Sequence, residues 1–525
     1  MVASLLKIVS SGIQDERIDF HPTLYPFYKV WIKAGRFTTQ WGRLDFENPP
    51  TFGNTAFFRM LRKGHLVTRL YLVAQMPDIY TQQKAAFDAA NTPPPAPPLP
   101  PNTYYPKFGW TNSLGHALVS QLTMDIANTR VETLDSRLLE MLDEYQTPLE
   151  KVPLINELIK RKDTGFTETS FGHPPTPTPF VSKQPYNETV IVPLPFWFTR
   201  GDAGCALPID AIPMDEIRVG ITFRNLNGVY YTDTHVPNTS TDPGTSLWPL
   251  SGSYFYTADP VANPNQTPLQ TPLGTPIQMP LNLQLGECYI LAEYVYLDQN
   301  EANRFRLSDL QIPIVQHYAM KPFQTRGLPT ARIRLDIPNP TRDIYFMLNR
   351  DEAPTYNAYF LATRDLTGTV NTQPSNTQFP WWPDAKGLYA QAPSLLLRPG
   401  FQLSDSEPLL GYEVDYEGSL VRFRTEGPAL FRSVIPSYEQ RKTPWVNRYY
   451  YNFPLGIQNG STPFSRPRGE ANLDKIVNRD LVLQLRPKRE YVGGLIVPSY
   501  TVYIYAETYN MLRVVGGRAG IMFAY

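Results

Sequence analysis

The chain has 525 residues, and 48 Lys and Arg balance 48 Asp and Glu, so its formal net charge is zero. Charged residues reach only 18%, while proline occupies 53 positions, roughly twice ordinary usage. Charge neutrality without a long basic run excludes a dedicated nucleic-acid binder, and this much proline excludes a helical bundle, because an interior proline costs a helix about 3 kcal/mol.

In chain order, residues 1–20 carry a short apolar run before Lys7 and then turn polar, which is not the pattern of a signal peptide. Leu5, Leu6, Ile8, Val9 and Ile13 make residues 1–14 mildly amphipathic. Gly53–Met76 predicts two strands split by a turn at Arg62–Gly64. Asn91–Asn102, NTPPPAPPLPPN, reads as polyproline II or irregular chain. Leu118–Val131 alternates as a strand. A helix is expected over Asp135–Tyr145, with Asp135 as N-cap and Leu138, Leu139 and Leu142 forming its apolar stripe. Leu154–Lys162 is a second, weaker helical window. His173–Pro185 and Asn225–Pro280 read as loops. Strand patterns return at Ile217–Phe223, Tyr289–Leu297, Ala331–Ile337, Ile344–Leu348, Leu420–Phe423, Leu481–Leu485 and Tyr500–Ala506. Many short strands with turn signals between them predict an all-β sandwich protein. The chain divides best near Asp309–Pro313, leaving room for one sandwich on each side.

Catalytic and ligand-binding patterns are weak. An apolar fraction of 42% argues against global disorder. No stretch of about 18 uncharged apolar residues is present to form a membrane-spanning helix. Cys205 and Cys288 are too few for a disulfide framework and indicate folding in a reducing compartment. His21, His65, His116, His173, His235 and His317 are all more than four residues apart, so no metal pair is expected. His116 and His317 lie among apolar residues and are expected to be hydrogen-bonded near strand ends. The glycine-rich Val515–Gly520 reads as a bend between strands, not a phosphate loop. Acidic pairs Asp143-Glu144 and Asp215-Glu216 read as solvated surface. The basic clusters Arg59–Lys63, Lys160–Lys162, Arg466–Arg468 and Arg486–Arg489 read as turns or subunit contacts. Asn187, Asn238, Asn265 and Asn459 head N-glycosylation sequons. Trp381-Trp382 reads as an aromatic loop, buried at a contact or stacking on sugar rings. No catalytic residue, cofactor or metal ligand is assigned.

Several longer motifs are more specific. GIQDERIDFHPTLYPFYKVWIKAGRFTTQW (Gly12–Trp41) resembles the N-terminus of the major capsid proteins of nucleocytoplasmic large DNA viruses, the group of giant viruses, iridoviruses and phycodnaviruses. His21-Pro22 occupies its Asn-Pro position. The Gly53–Met76 segment resembles that family's Phe-Gly and Arg-x-Gly-Asp-Leu pattern, with His65 in place of Asp. LGHALVSQLTMDIANTRVETLDSRLLEMLDEY is similar to its Ile-Gly-His-Ala-Leu strand pair and acidic helix. Val192–Phe223 resembles its Pro-Leu-x-Phe-Trp-Phe signature, with Met214-Asp215 where Tyr-His is usual. Ala292–Leu307 and the endings STPFSRPRGEANLDKIV and ETYNMLRVVGGRAGIMF match in order.

The resemblance implies a double jelly roll: two eight-stranded antiparallel β-sandwiches side by side, with long loop insertions and a few short helices. It implies an inward-facing segment at residues 1–25 and a first jelly roll at 26–310, with insertions at about 77–110, 146–190 and 225–285. The second jelly roll would span 311–525. It further implies a structural protein of the virion, not an enzyme. Homotrimers would form pseudo-hexagonal capsomers of an icosahedral shell. Expected partners are neighbouring capsomers, penton and minor capsid proteins, and an internal membrane met through the N-terminal segment, with no direct nucleic-acid contact. Synthesis and assembly are expected in the host cytoplasm. The alternative function is a jelly-roll carbohydrate-binding or adhesion protein of the virion surface.

Overall fold

A computed structural model describes residues 36–78, 108–111, 113–161, 189–200, 203–232, 254–255, 277–278, 283–351, 359–360, 407–417, 420–425, 427–428, 430–444, 449–456, 469–489 and 495–523. Eight strands build the first half: β1 (Phe37–Leu44), β2 (Thr55–Arg59), β3 (Leu66–Gln75), β4 (Val119–Ile126), β5 (Thr129–Asp135), β6 (Thr189–Pro193), β7 (Ile217–Phe223) and β8 (Cys288–Leu297). Eight more follow: β9 (Leu310–Ala319), β10 (Thr330–Arg334), β11 (Pro340–Arg350), β12 (Leu409–Tyr416), β13 (Leu420–Thr425), β14 (Tyr450–Pro454), β15 (Arg479–Leu485) and β16 (Tyr500–Val515).

The first eight form two sheets of order β1-β8-β3-β6 and β2-β7-β4-β5. The second eight form β9-β16-β11-β14 and β10-β15-β12-β13. Counting from the first strand of each half, both halves read 1-8-3-6 and 2-7-4-5. All these pairings are antiparallel. This is the jelly-roll order repeated twice, so the fold is a double jelly roll. A final short strand, β17 (Arg518–Ile521), folds back on β16 through Gly516 and Gly517. Both glycines have positive φ (58° and 81°), so the predicted glycine-rich bend is present.

The strand patterns follow from which face is buried. In β7 the alternation IRVGITF places Ile217, Val219, Ile221 and Phe223 in the first core. β3 changes phase midway: Val67 is buried, and then Leu70, Leu72 and Ala74. A register shift between Glu293 and Tyr294 on the partner β8 accounts for the change. The predicted single strand across Leu118–Val131 is instead a hairpin of β4 and β5. Ala127 and Asn128 turn it with positive φ of 50° and 63°. Strands β1, β6, β9, β12 and β14 lie outside the windows picked out by alternation. β14 shows why: Tyr450, Tyr451, Asn452 and Phe453 are all buried, so neither face is polar.

Two helices pack at the top of the first sandwich as anticipated. α2 (Ser136–Gln146) is capped by Asp135, whose Oδ1 accepts from the Leu138 amide at 2.8 Å. α3 spans Val152–Ile159. A further helix, α1 (Leu114–Leu118), carries His116, which is therefore helical rather than on a strand. A fourth, α4 (Gln299–Leu307), joins β8 to β9.

Short connections make successive strands run up and down. The turns 60–65 and 127–128 and the loop 194–216 consequently share one end of the first sandwich, where the Asp210 amide donates to the His65 carbonyl at 3.2 Å. The long connections 76–118, 136–188 and 224–287 all leave from the opposite end. Strand alternation alone therefore roots these connections at one pole.

Candidate functional site: the buried seam between the sandwiches

Sheet β9-β16-β11-β14 has two apolar faces. Ile344, Phe346, Leu348, Val502, Ile504 and Ala506 turn into the second core. Their alternating neighbours Tyr345, Met347, Tyr450 and Tyr505 belong to the first core instead. The second sandwich therefore uses one of its own sheets as a wall against the first, and a seam of polar groups runs along that wall.

α2 reaches the second sandwich through several named side chains. The Tyr145 ring lies 5.3 Å from that of Tyr345. The Tyr145 carbonyl accepts from the amides of Arg441 and Lys442 at 3.1 and 3.2 Å. Lys442 Nζ lies 2.9 Å from Glu144 Oε2. The Tyr505 hydroxyl donates to Asp135 Oδ2 at 2.5 Å, so Asp135 both caps the helix and ties it to β16. Burial, with the charge of Asp343 second, pushes the Tyr145 hydroxyl well above its ordinary range, so it stays protonated. Asp135→Ala removes both bonds and is expected to lower stability by about 1–2 kcal/mol. Asp135→Asn retains a capping oxygen and should recover most of that loss. Urea midpoints of the two variants decide the point, and equal midpoints would mean that the cap contributes nothing.

Lower on the seam the groups are charged. His317 on β9 places Nδ1 2.7 Å from Glu132 Oε1 of β5. Arg200, just after β6, donates to His317 Nε2 and, through Nη1, to Glu507 Oε1 on β16 at 2.8 Å. Arg342 on β11 stands 3.7 Å from the other Glu507 oxygen. Gln146 Nε2 of α2 donates to Glu507 Oε1 at 3.3 Å. Burial opposes ionisation of Glu507, but Arg200 and Arg342 outweigh it and hold the carboxyl well below the usual range. Gln316 adds a backbone tie by donating to the Val131 carbonyl at 2.6 Å. At the turn end the Met214 amide donates to the Gly517 carbonyl at 3.0 Å, and Asp215 Oδ2 accepts from the Ala519 amide at 2.8 Å.

A second buried cluster supports α2 from behind. Glu140 accepts from Ser113 Oγ at 3.0 Å and lies 2.6 Å from His116 Nδ1 and 2.7 Å from Arg161 Nη2. Arg161 also pairs with Asp143 and Glu144. Two expectations are corrected here. Asp143-Glu144 is not solvated surface: Glu144 is fully buried between Arg161 and Lys442. Nor is Arg161 of the Lys160–Lys162 cluster a surface turn, because it is 3% exposed and anchors α2. The signal was the acidic pair in DEY facing Arg161, eighteen residues on from Asp143, which has meaning only once α2 and α3 pack together.

The other sequence candidates are placed as follows. His116 and His317 are both buried and hydrogen-bonded, as expected. His65 accepts from the Leu297 amide through Nδ1 at 2.8 Å, a structural role where the resemblance places Asp. Neither Cys205 nor Cys288 is in a disulfide, and burial pushes the Cys288 thiol up to about 12, which keeps it unreactive. Asn187, Asn238, Asn265, Asn459, Trp381, Trp382, Arg466–Arg468 and residues 1–25 lie outside the described residues. Among the described residues no three His, Cys, Asp or Glu side chains gather as a metal site. No described helix is long and apolar enough to cross a membrane. The arrangement joins the two sandwiches.

Comparison with known proteins agrees with this architecture. Residues 26–246 match the family model of the major capsid protein N-terminus. Residues 301–520 match that of the large eukaryotic DNA virus major capsid protein. The chain is 19% identical to the major capsid protein of Phaeocystis pouchetii virus, with both chains covered in full. It is 22% identical to probable capsid protein 4 of Acanthamoeba polyphaga mimivirus over 44% of this chain, spanning 39% of that longer relative. The PBCV-1 VP54 crystal structure, fitted into a reconstruction of the virophage Sputnik, superposes with a TM-score of 0.62 at 16% identity. That match covers 95% of this chain and all of the other. With both halves matched by capsid families and both folded as jelly rolls, the chain belongs to the major capsid proteins of large eukaryotic DNA viruses, the structural proteins of the virion shell.

Proposed function

We propose that three copies of this chain associate into a pseudo-hexagonal capsomer and that such capsomers tile the icosahedral shell. The observation that carries this reading is the repeat itself. Two sandwiches of identical strand order, fused along a buried seam, give six similar units when three chains meet around an axis. Residues 26–310 and 311–525 would be the two jelly rolls, in keeping with the two large hydrophobic clusters. The strand ends from which the insertions leave share one pole, which supports an outward crown of loops. Strand β1 begins at the opposite pole, which supports an inward course for residues 1–25, toward minor capsid proteins or an internal membrane. Penton proteins and neighbouring capsomers are the remaining partners, with assembly in the host cytoplasm and no direct contact with nucleic acid. Exposed apolar side chains suit repeated lateral contact: Phe37 is 67% and Trp41 47% exposed on the edge strand β1.

Sedimentation of the purified protein, with imaging of the same fractions, tests the reading. The expected result is a stable trimer of hexagonal outline that assembles further. A stable monomer that binds glycans through Trp381 would overturn it in favour of an adhesion protein.

A further inference from the structure

Across the wall sheet, Glu507 is the direct Cα partner of both His317 and Asp343, so these three form one row. Glu507 and Asp343 are both fully buried. Side chains directly opposite on antiparallel strands have Cβ atoms about 4.5–5.5 Å apart, where two carboxylates repel if both are ionised. The register shift between Thr341 and Asp343 leaves Arg342 as an extra residue, and a bulge of this kind re-aims a side chain. Arg342 is 1% exposed and sits beside Glu507.

The two carboxylates are treated differently. Glu507 has Arg200, Arg342 and His317 around it. Asp343 accepts from the Tyr345 hydroxyl at 3.1 Å, from Gln440 Nε2 at 3.0 Å and from Asn452 Nδ2. Other ionisable groups lie on the elements packed around this row. They are Tyr505 and Tyr509 on β16, Tyr450 on β14, Glu144 and Tyr145 on α2, Glu132 on β5, and Lys442 and Arg432 beyond β13. Burial and the neighbouring Glu507 charge push the Asp343 carboxyl up to about 7.

We propose that Asp343 is a proton latch for the seam: one proton taken up there removes the like-charge pair and so stabilises the wall sheet through which the second sandwich packs on the first. The sign follows from linkage. The fold disfavours ionised Asp343, so stability rises as pH falls through the folded-state value, until the unfolded chain also binds a proton near its ordinary value of 3.8. The shell protein is then held more tightly in mildly acidic surroundings and less tightly in alkaline ones.

Equilibrium unfolding of the full chain at pH 8 and pH 6 tests the latch. The folded-to-unfolded ratio should rise about tenfold at pH 6, and Asp343→Asn should abolish that rise. Hydrogen exchange locates the effect. Protection of the Arg441 and Lys442 amides, which donate across the seam to Tyr145, should increase at pH 6 beyond the intrinsic change. An equal pH response in wild type and Asp343→Asn overturns the proposal, as does unchanged protection at both amides. Should Asp343→Asn fail to fold, infrared spectroscopy of wild type decides. A buried protonated-carboxyl band must grow between pH 8 and pH 6, and its absence overturns the latch.

Discussion

Replacing Glu507 with alanine is expected to lower stability by about 3–5 kcal/mol, because the substitution removes a buried carboxylate that two buried guanidinium groups share. Arg200 and Arg342 are 9% and 1% exposed, and Glu507 is the carboxylate that stands against both. Glu507→Gln keeps the volume and one acceptor but removes the charge, so its loss should be smaller. Removing Arg200 and Glu507 together should cost less than the sum of the two single changes, since each single change already removes their mutual attraction. Unfolding midpoints of the two single variants and the double variant measure this coupling. Additive losses would show that the seam charges act independently. A Glu507→Ala variant with wild-type stability would show that they do not matter at all.

The second large effect is expected at Trp197. It lies in the turn after β6, is 2% exposed, and meets the Phe198 ring edge-on at 5.2 Å within the first core. The connection that carries it packs against β3 and β9. Trp197→Ala should cost about 3–5 kcal/mol through lost burial and the cavity left behind. Trp197→Phe should cost noticeably less. Since Arg200 is three residues on, a collapse of this turn would also withdraw the cation from Glu507. The seam and the core are thus predicted to fail together at this site, and a double variant of Trp197 and Glu507 should fall short of additivity. Wild-type urea midpoints for Trp197→Ala would refute the packing role.

How far the sequence could be read depends on the range of the forces involved. Strands such as β7 and β15 announce themselves because one face is buried and the other wet, so the code is local and has a period of two. Strand β14 and the Ile314–His317 stretch of β9 do not, because they are buried on both faces by partners far along the chain. The helix α2 was visible through its cap Asp135 and its leucine stripe. Its second use, as the pin between sandwiches, was not, because Glu144 finds Lys442 and Asp135 finds Tyr505 only after folding. The same limit explains the acidic pair Asp143-Glu144, taken for surface and found in part fully buried. A charge can be buried only beside its partner, and Arg200 reaches Glu507 across 307 residues of chain.

By itself the sequence determined the class of the protein. Neutral charge, excess proline and alternating apolar runs required an all-β protein with stiff connections. The ordered motifs from Gly12 to Phe523 pointed to a viral shell. Only the tertiary structure decided that the two jelly rolls share one wall and that ionisable groups line it, with Asp343 facing Glu507. The physical reason is that strand periodicity is a property of neighbouring residues, whereas the energy of a buried charge is set by whatever long-range pairing brings beside it.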